Sequence, residues 1–456
     1  MKEDQFEKII ARPAKLLEEG VEEIKKFEHE LVSKKPFGKA KEYWHNLGPG
    51  LTTGAADDDP SGIATYSQTG AKYGYQLLWV SLFTFPLMAI VQEMCARIGM
   101  VTGRGLAANI RKHYSKPVLY TVTFLLVAAN VFNIGADFGA MAQGAKLIFP
   151  SLSFAGLVIF FGIITILLQV FTTYARYAKF LKYLALVLLS YIASALFIDF
   201  DWNLILKHTV IPSITFSKEQ ILIIAGILGT TISPYLFFWQ TSQEVEEDIL
   251  KGNKTITQRQ HSAHPKDIRK MRIDVWTGMF FSNIVMFFII AACAATLFAN
   301  GITNINSAAD AALALKPFAG DFAYTLFAIG IVGTGMLAVP VLAGSASYAV
   351  AESMGWKFGL YKKLKNAYSF YGVIILAVIV GIGLNFIGLD PIKALIYSAV
   401  ANGVVSPVVL YFIVKFGGDE KIMNKYKNTR LVNILGWIVT FIMAISSIAV
   451  IVSLFK

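Results

Sequence analysis

The sequence predicts an all-α membrane protein of about eleven transmembrane helices, arranged as two inverted five-helix repeats with discontinuous helices 1 and 6. Three observations predict it: apolar runs of membrane-spanning length, cations gathered in alternate loops, and a proline-bearing interruption at corresponding places in the first and sixth runs. Hydrophobic residues make up 55% of 456 positions and charged ones 16%, a balance that fits helices in lipid rather than a soluble core.

Residues 1–46 form a first unit, in which charges alternate with Phe6, Ile9, Ile10, Leu16, Leu17, Val21, Ile24 and Phe27. That pattern suits an amphipathic segment lying on the cytoplasmic face, and equally a solvated tail. It lacks the short apolar stretch and small-residue cleavage site of a signal peptide, so insertion is expected to rely on the first membrane helix. The transmembrane domain occupies 47–456. Its spans are expected at 48–70, 75–99, 117–147, 153–172, 177–198, 219–243, 272–299, 320–351, 369–389, 391–415 and 431–455.

The formal net charge is +11, but the cations sit in short segments after the even-numbered spans, such as Arg104, Arg111, Lys112 and Lys116 after the second. Basic loops of this kind report orientation in the cell (inner) membrane, with the N-terminus cytoplasmic and, after an odd number of spans, the C-terminus outside. No nucleic-acid partner is implied. The two cysteines, Cys95 and Cys293, both fall inside apolar runs, so neither a disulfide framework nor a thiolate cluster is expected. Nothing points to a cofactor or to an obligatory protein partner beyond the lipid bilayer.

Span one contains Asp57-Asp58-Asp59-Pro60-Ser61-Gly62 and span six contains Gly229-Thr230-Thr231-Ile232-Ser233-Pro234. Ordinary proline kinks are common in membrane helices. Three carboxylates beside one are not, because an acidic residue at the bilayer centre costs about 2.5–3.5 kcal/mol on insertion scales. Consecutive helical residues point about 100° apart, so the three can converge only where the helix unwinds. Pro60 and Gly62 permit that. Freed carbonyls and the negative end of the first half-helix then favour a cation. Span six adds only Thr230, Thr231, Ser233 and backbone oxygen. Neither break holds Met, Cys or His, so an oxygen-only site for a hard ion, with no sulfur nearby, is the expectation. Mg2+ keeps several waters and is commonly held through one or two carboxylates, which fits a single inward carboxylate with Gly62 and the hydroxyls of Thr230 and Ser233 around it. Mn2+ shares the preference, and Ca2+ is not excluded.

The stretch Gly48 to Leu106, GPGLTTGAADDDPSGIATYSQTGAKYGYQLLWV…ARIGMVTGRGL, resembles the first two helices of the NRAMP divalent-metal transporters. That family carries Asp-Pro-Gly-Asn where this chain has Asp59-Pro60-Ser61-Gly62. The resemblance runs on through the span-six motif, Gly333-Thr334-Gly335 and Ser398 to Pro407, and implies a LeuT-type fold. Asp59 matches the family's metal-binding aspartate, while Gly62 replaces its asparagine ligand. Thr230, Ser233 and Tyr235 stand where the family has a coordinating alanine, a soft methionine and a proton-linked histidine. Asp137 is kept in span three, but Ala140 stands in place of a glutamate, and span nine has no arginine. These departures, TTISPY above all, are similar to the NRAMP-related magnesium transporters, and imply carriage of Mg2+ and Mn2+ without proton coupling. A proton-coupled Mn2+/Fe2+ carrier is the alternative, and it calls for a soft ligand and a protonatable group that the motifs lack.

Secondary candidates are weaker. Asn402 lies among small residues in span ten and suits either the ion or an interhelical hydrogen bond. Gln240 begins a polar run through Gln243, Glu244, Glu246, Glu247 and Asp248 that reads as an exit path or as a solvated helix end. Glu93 and Arg97 are spaced for an internal ion pair, and Asp137 lines a water path or joins a polar network. An intramembrane aspartyl protease needs two carboxylates sharing a proton, and no Gly-x-Gly-Asp element is present, so no enzyme is expected. An organic-solute carrier of the same fold would not explain the triple aspartate.

Overall fold

The computed structural model describes residues 48–172, 200–215, 217–316 and 320–454, with scattered positions between 189 and 198. The segment 1–46, most of the expected fifth span and the last two residues lie outside the described residues. The chain divides into two units, Met1–Gly48 and Pro49–Lys456, and the second holds every helix named below.

The principal helices are α1 (Pro49–Asp57), α2 (Pro60–Tyr73), α3 (Trp79–Thr102), α4 (Leu106–His113), α5 (Lys116–Ile148), α6 (Phe154–Phe171), α7 (Trp202–Val210), α8 (Lys218–Thr231), α9 (Pro234–Leu250), α10 (Ile256–Ser262), α11 (Pro265–Thr296), α12 (Ala323–Met354), α13 (Tyr368–Leu384), α14 (Pro391–Gly418) and α15 (Arg430–Leu454). Eight stretches among the described residues are long and apolar enough to cross a membrane, Lys218–Leu250 doing so across its break. α13 is a shorter apolar helix of 17 residues, and span one is built from two pieces of 9 and 14 residues. Each break is two residues long, Asp58–Asp59 and Ile232–Ser233, and each ends at a proline in the first turn of the next helix. Proline belongs there, because its missing N–H is one the helix start would leave unpaired.

The packing pairs the halves. The broken spans α1–α2 and α8–α9 lie with α3 and α11, while α5 and α6 pack with α12 and α13. Exchanging spans one to four for spans six to nine maps these neighbours onto one another, as inverted repeats require. α14 closes the arrangement against α8, α5 and α15. Glycine sets the closest approaches: a Cβ on Gly54 would fall 2.2 Å from the Gly278 carbonyl oxygen, and one on Gly229 2.0 Å from that of Ala399. Small residues let membrane helices approach this closely where no hydrophobic force between them operates.

Two boundaries move furthest. α11 begins at Pro265 rather than 272, and α9 runs to Leu250 rather than 243. The added turns of α11 are charged and largely exposed, whereas those of α9 begin polar but buried, which hydropathy does not register. Gln240, Gln243, Glu244 and Glu246 are all buried, so this run is not a solvated helix end. Glu246 accepts from the amides of Leu360 at 2.7 Å and Tyr361 at 3.2 Å and from the Tyr348 hydroxyl, fastening α9 to the segment after α12. Glu93 and Arg97 form the expected pair at 3.2 Å, and Glu93 also meets Arg272 at 2.9 Å and the Trp276 indole at 2.9 Å. One carboxylate thereby joins α3 to α11.

Candidate metal site

Asp59 is the N-cap of α2, with extended backbone. Its Oδ1 accepts from the Gly62 amide at 2.7 Å and the Ser61 hydroxyl at 2.6 Å, the ordinary duty of a capping aspartate. Capping does not account for the rest. The other oxygen, Oδ2, accepts from the Asn133 side chain of α5 at 2.8 Å, and Asp59 is 1% exposed. A carboxylate fixed by three donors, at the positive end of a helix, has a defined direction. Its two oxygens have about four acceptor positions, so capacity remains for an ion.

Span six meets this group from the opposite side. A Cβ on Gly62 would lie 3.0 Å from the Thr230 hydroxyl, 3.2 Å from the Asp57 carbonyl and 3.4 Å from the Tyr66 ring. The Thr230 hydroxyl reaches the Asp57 carbonyl only at 3.5 Å, a loose contact that leaves both oxygens able to take another partner. Asp59, Gly62 and Thr230 are thus brought together. Ser233, the N-cap of α9, turns its hydroxyl back to donate to the carbonyls of Gly229 at 2.6 Å and Thr230 at 2.7 Å, so only its lone pairs face outward. The Tyr235 hydroxyl donates to the freed Ala56 carbonyl at 2.7 Å and ties the two breaks together. Ser406 of α14 donates to the freed Ile232 carbonyl.

Asn402 lies one turn before Ser406, fully buried, and neither side-chain atom has a hydrogen-bond partner among the described residues. Its neighbour Gly403 abuts Gly229 at the end of α8, which puts the amide beside the span-six break. Gln240 stands further along α9, where it accepts from Thr53 and donates to Glu244 at 2.8 Å. It is thus tied to α1 rather than gathered with Asp59.

The three aspartates diverge. Asp57 and Asp58 turn to Ser282 of α11, whose hydroxyl lies 2.6 Å from one and 3.3 Å from the other. Each retains one buried oxygen without a partner among the described residues, as Asp137 does with both of its own. Asp137 stands one turn past Asn133 on α5, so a second carboxyl overlooks the site through the residue that holds the first. Among the described residues no group of three or more His, Cys, Asp or Glu side chains is arranged to hold a metal ion. Any ion bound here takes most of its oxygens from hydroxyls, carbonyls and water.

Three participants were not singled out in the sequence. Asn133 was legible in principle, because it lies four residues before Asp137 and therefore on the same face. Ser282 carries no signal in an apolar run. Met141 amends the expectation of a sulfur-free neighbourhood: its thioether lies 2.5 Å from the Cβ position of Gly335, itself 3.4 Å from Pro60.

An all-α bundle with two broken helices meeting at a buried carboxylate has the architecture of the LeuT-type fold. The natural resistance-associated macrophage protein-like (Nramp) family model matches residues 50–453, and the chain belongs to that family. A curated relative, the divalent metal cation transporter MntH of Klebsiella pneumoniae, is 27% identical over 403 residues, covering 87% of this chain and 91% of its own. Among solved structures, the Eremococcus coleocola manganese transporter superposes with a TM-score of 0.71 at 19% identity, covering 91% of this chain and 87% of that one. Mhp1, a nucleobase-cation-symport-1 family transporter, gives 0.56 at 13% identity over 89% and 91%. At these identities the structural likeness speaks for the fold.

Proposed function

We propose that this divalent-metal transporter carries Mg2+, and Mn2+ beside it, as a partly hydrated ion anchored on Asp59 and not coupled to protons. The observation that carries the reading is the oxygen environment of Asp59: one fixed carboxylate, the Thr230 hydroxyl and the Asp57 carbonyl. A site with so few charged ligands suits an ion that retains its waters. Gly62 puts no side chain between Asp59 and Thr230, and Ser233 and Asn402 border the same break. The curated and solved relatives are named for divalent metal and manganese, which supports the cargo class and Mn2+ in particular.

An inside-negative potential drives such a uniporter. A dication gains about 4.6 kcal/mol per 100 mV, roughly a thousandfold in concentration. With basic loops cytoplasmic, the N-terminus lies inside and the last helix ends outside. Uptake needs no second ion.

The test is influx into proteoliposomes with an internal Mg2+ or Mn2+ dye, Ca2+ as competitor and internal pH recorded in parallel. Asp59→Ala should lower influx at least about 100-fold, and no acidification should accompany the wild-type flux. Acidification in step with metal entry would refute the uncoupled mechanism. The proximity of Met141 to Pro60 favours a second reading, a carrier of softer ions. On that reading Met141→Leu costs Mn2+ transport far more than Mg2+ transport; on ours the two fall together or not at all.

A further inference from the structure

On the face that carries the basic loops, the end of α3, α4, the end of α10 with the turn leading into α11, and the segment after α14 surround a cavity of about 570 Å3. Arg104, Lys112, Lys421 and Lys425 line it with the imidazoles of His113, His261 and His264, and no carboxylate stands among its lining residues. We propose that this cavity binds a phosphate-bearing anion, the chemistry shared by an anionic lipid headgroup and a soluble phosphoester.

Cations that serve only to orient a membrane protein project into solvent, where mutual repulsion is screened. Here they converge on a concavity, and the fold holds them there. The Asn109 side chain donates to the Arg104 carbonyl at 3.1 Å, Gln260 donates to the Thr102 carbonyl at 3.2 Å, and the Tyr426 hydroxyl donates to the Ala263 carbonyl at 2.8 Å. Three separate loops are cross-tied by these bonds. Asn424, also in the wall, is the non-glycine residue among those described whose φ is positive, at 47°. Such strain persists where the surroundings enforce it, and here it sets the turn between Lys421 and Lys425.

A second observation is independent of the clustering. The Arg104 Nε is buried and has no hydrogen-bond partner among the described residues, a donor that the protein itself leaves unmet. The nearby acids are engaged elsewhere: Asp419 accepts from the Lys421 amide at 2.8 Å, and Glu420 pairs with Lys427 at 2.5 Å. His113 is held below the usual imidazole range by burial and by Lys112 and Arg104, against the opposite pull of Asp419. Arginine, lysine and imidazole together match phosphate oxygens, and basic pockets between membrane helices are where phospholipid headgroups lodge.

The experiment uses the full-length transporter with two probes. Inorganic pyrophosphate is titrated onto protein in neutral detergent, and nanodiscs of phosphatidylglycerol are compared with nanodiscs of phosphatidylcholine, melting temperature being read in both. The double variant Lys112→Gln with Lys421→Gln should weaken binding roughly tenfold or more, since each charge-assisted contact counts for about that much. Lys362→Gln removes a charge from a different loop and should change binding less than about twofold. Pyrophosphate binding lost in the double variant identifies a soluble phosphoester; a phosphatidylglycerol shift alone, lost in the same variant, identifies a headgroup. The proposal is overturned when neither probe shifts melting, or when both variants weaken binding equally. Metal influx at the parental rate shows that the double variant is folded, and Lys421→Gln alone takes its place if it is not.

Discussion

At the scale of single residues, the site rests on how one carboxylate is held. Asn133 donates the third hydrogen bond to Asp59, so Asn133→Ala should leave the anchor in place but loosely aimed. A roughly tenfold rise in the half-saturating Mg2+ concentration is expected, with maximal influx little changed; an unchanged value would remove Asn133 from the site. Ser282 works differently, because it serves Asp57 and Asp58 rather than the ion. Ser282→Ala should lower stability by about 1–3 kcal/mol, seen as an earlier thermal transition, while the Mg2+ to Mn2+ preference stays put. Gly62 and Ser233 bear on selectivity. Gly62→Asn with Ser233→Met introduces an amide where a Cβ would stand 3.0 Å from Thr230, and a thioether across the break. That pair should shift preference toward softer ions in competition uptake, and unaltered competition would mean that the determinants lie elsewhere.

At the scale of elements, each broken span is seated through a glycine, Gly54 in the first and Gly229 in the second. α1 packs on α11 through Gly54 against Gly278 and is capped there, the amides of Gly50 and Leu51 donating to Asp274 at 2.7 and 3.1 Å. A Cβ on Gly54 has no space against that backbone, so Gly54→Ala should push α1 off its seat. The expected outcome is faster modification of a cysteine placed at Thr53 by a water-soluble thiol reagent, with protein yield retained; equal rates would argue against the seat. The breaks themselves were legible because proline and glycine leave a chemical signature independent of environment. Buried polar helix ends were not, and Gln240 through Glu246 shows why: the same residues make a solvated terminus in one setting and a buried clamp onto Tyr348, Leu360 and Tyr361 in another. Only the partner, more than a hundred residues away in sequence, decides between them.

For the whole molecule, span length, loop charge and the pair of breaks sufficed to read the architecture, since bilayer thickness and the cost of burying charge act on sequence directly. The partner of Asp59 was less accessible: spacing puts Asn133 on the Asp137 face of α5, but its bond to Asp59 rests on packing that no local pattern records. Tyr235 illustrates what such packing implies for the moving protein. Its hydroxyl, donated to the Ala56 carbonyl, is one latch between the two broken spans beside the bond from Thr53 to Gln240, so neither span can tilt far without surrendering bonds to the other. Tyr235→Phe should loosen the joint between the spans without abolishing it, because the bond from Thr53 to Gln240 remains.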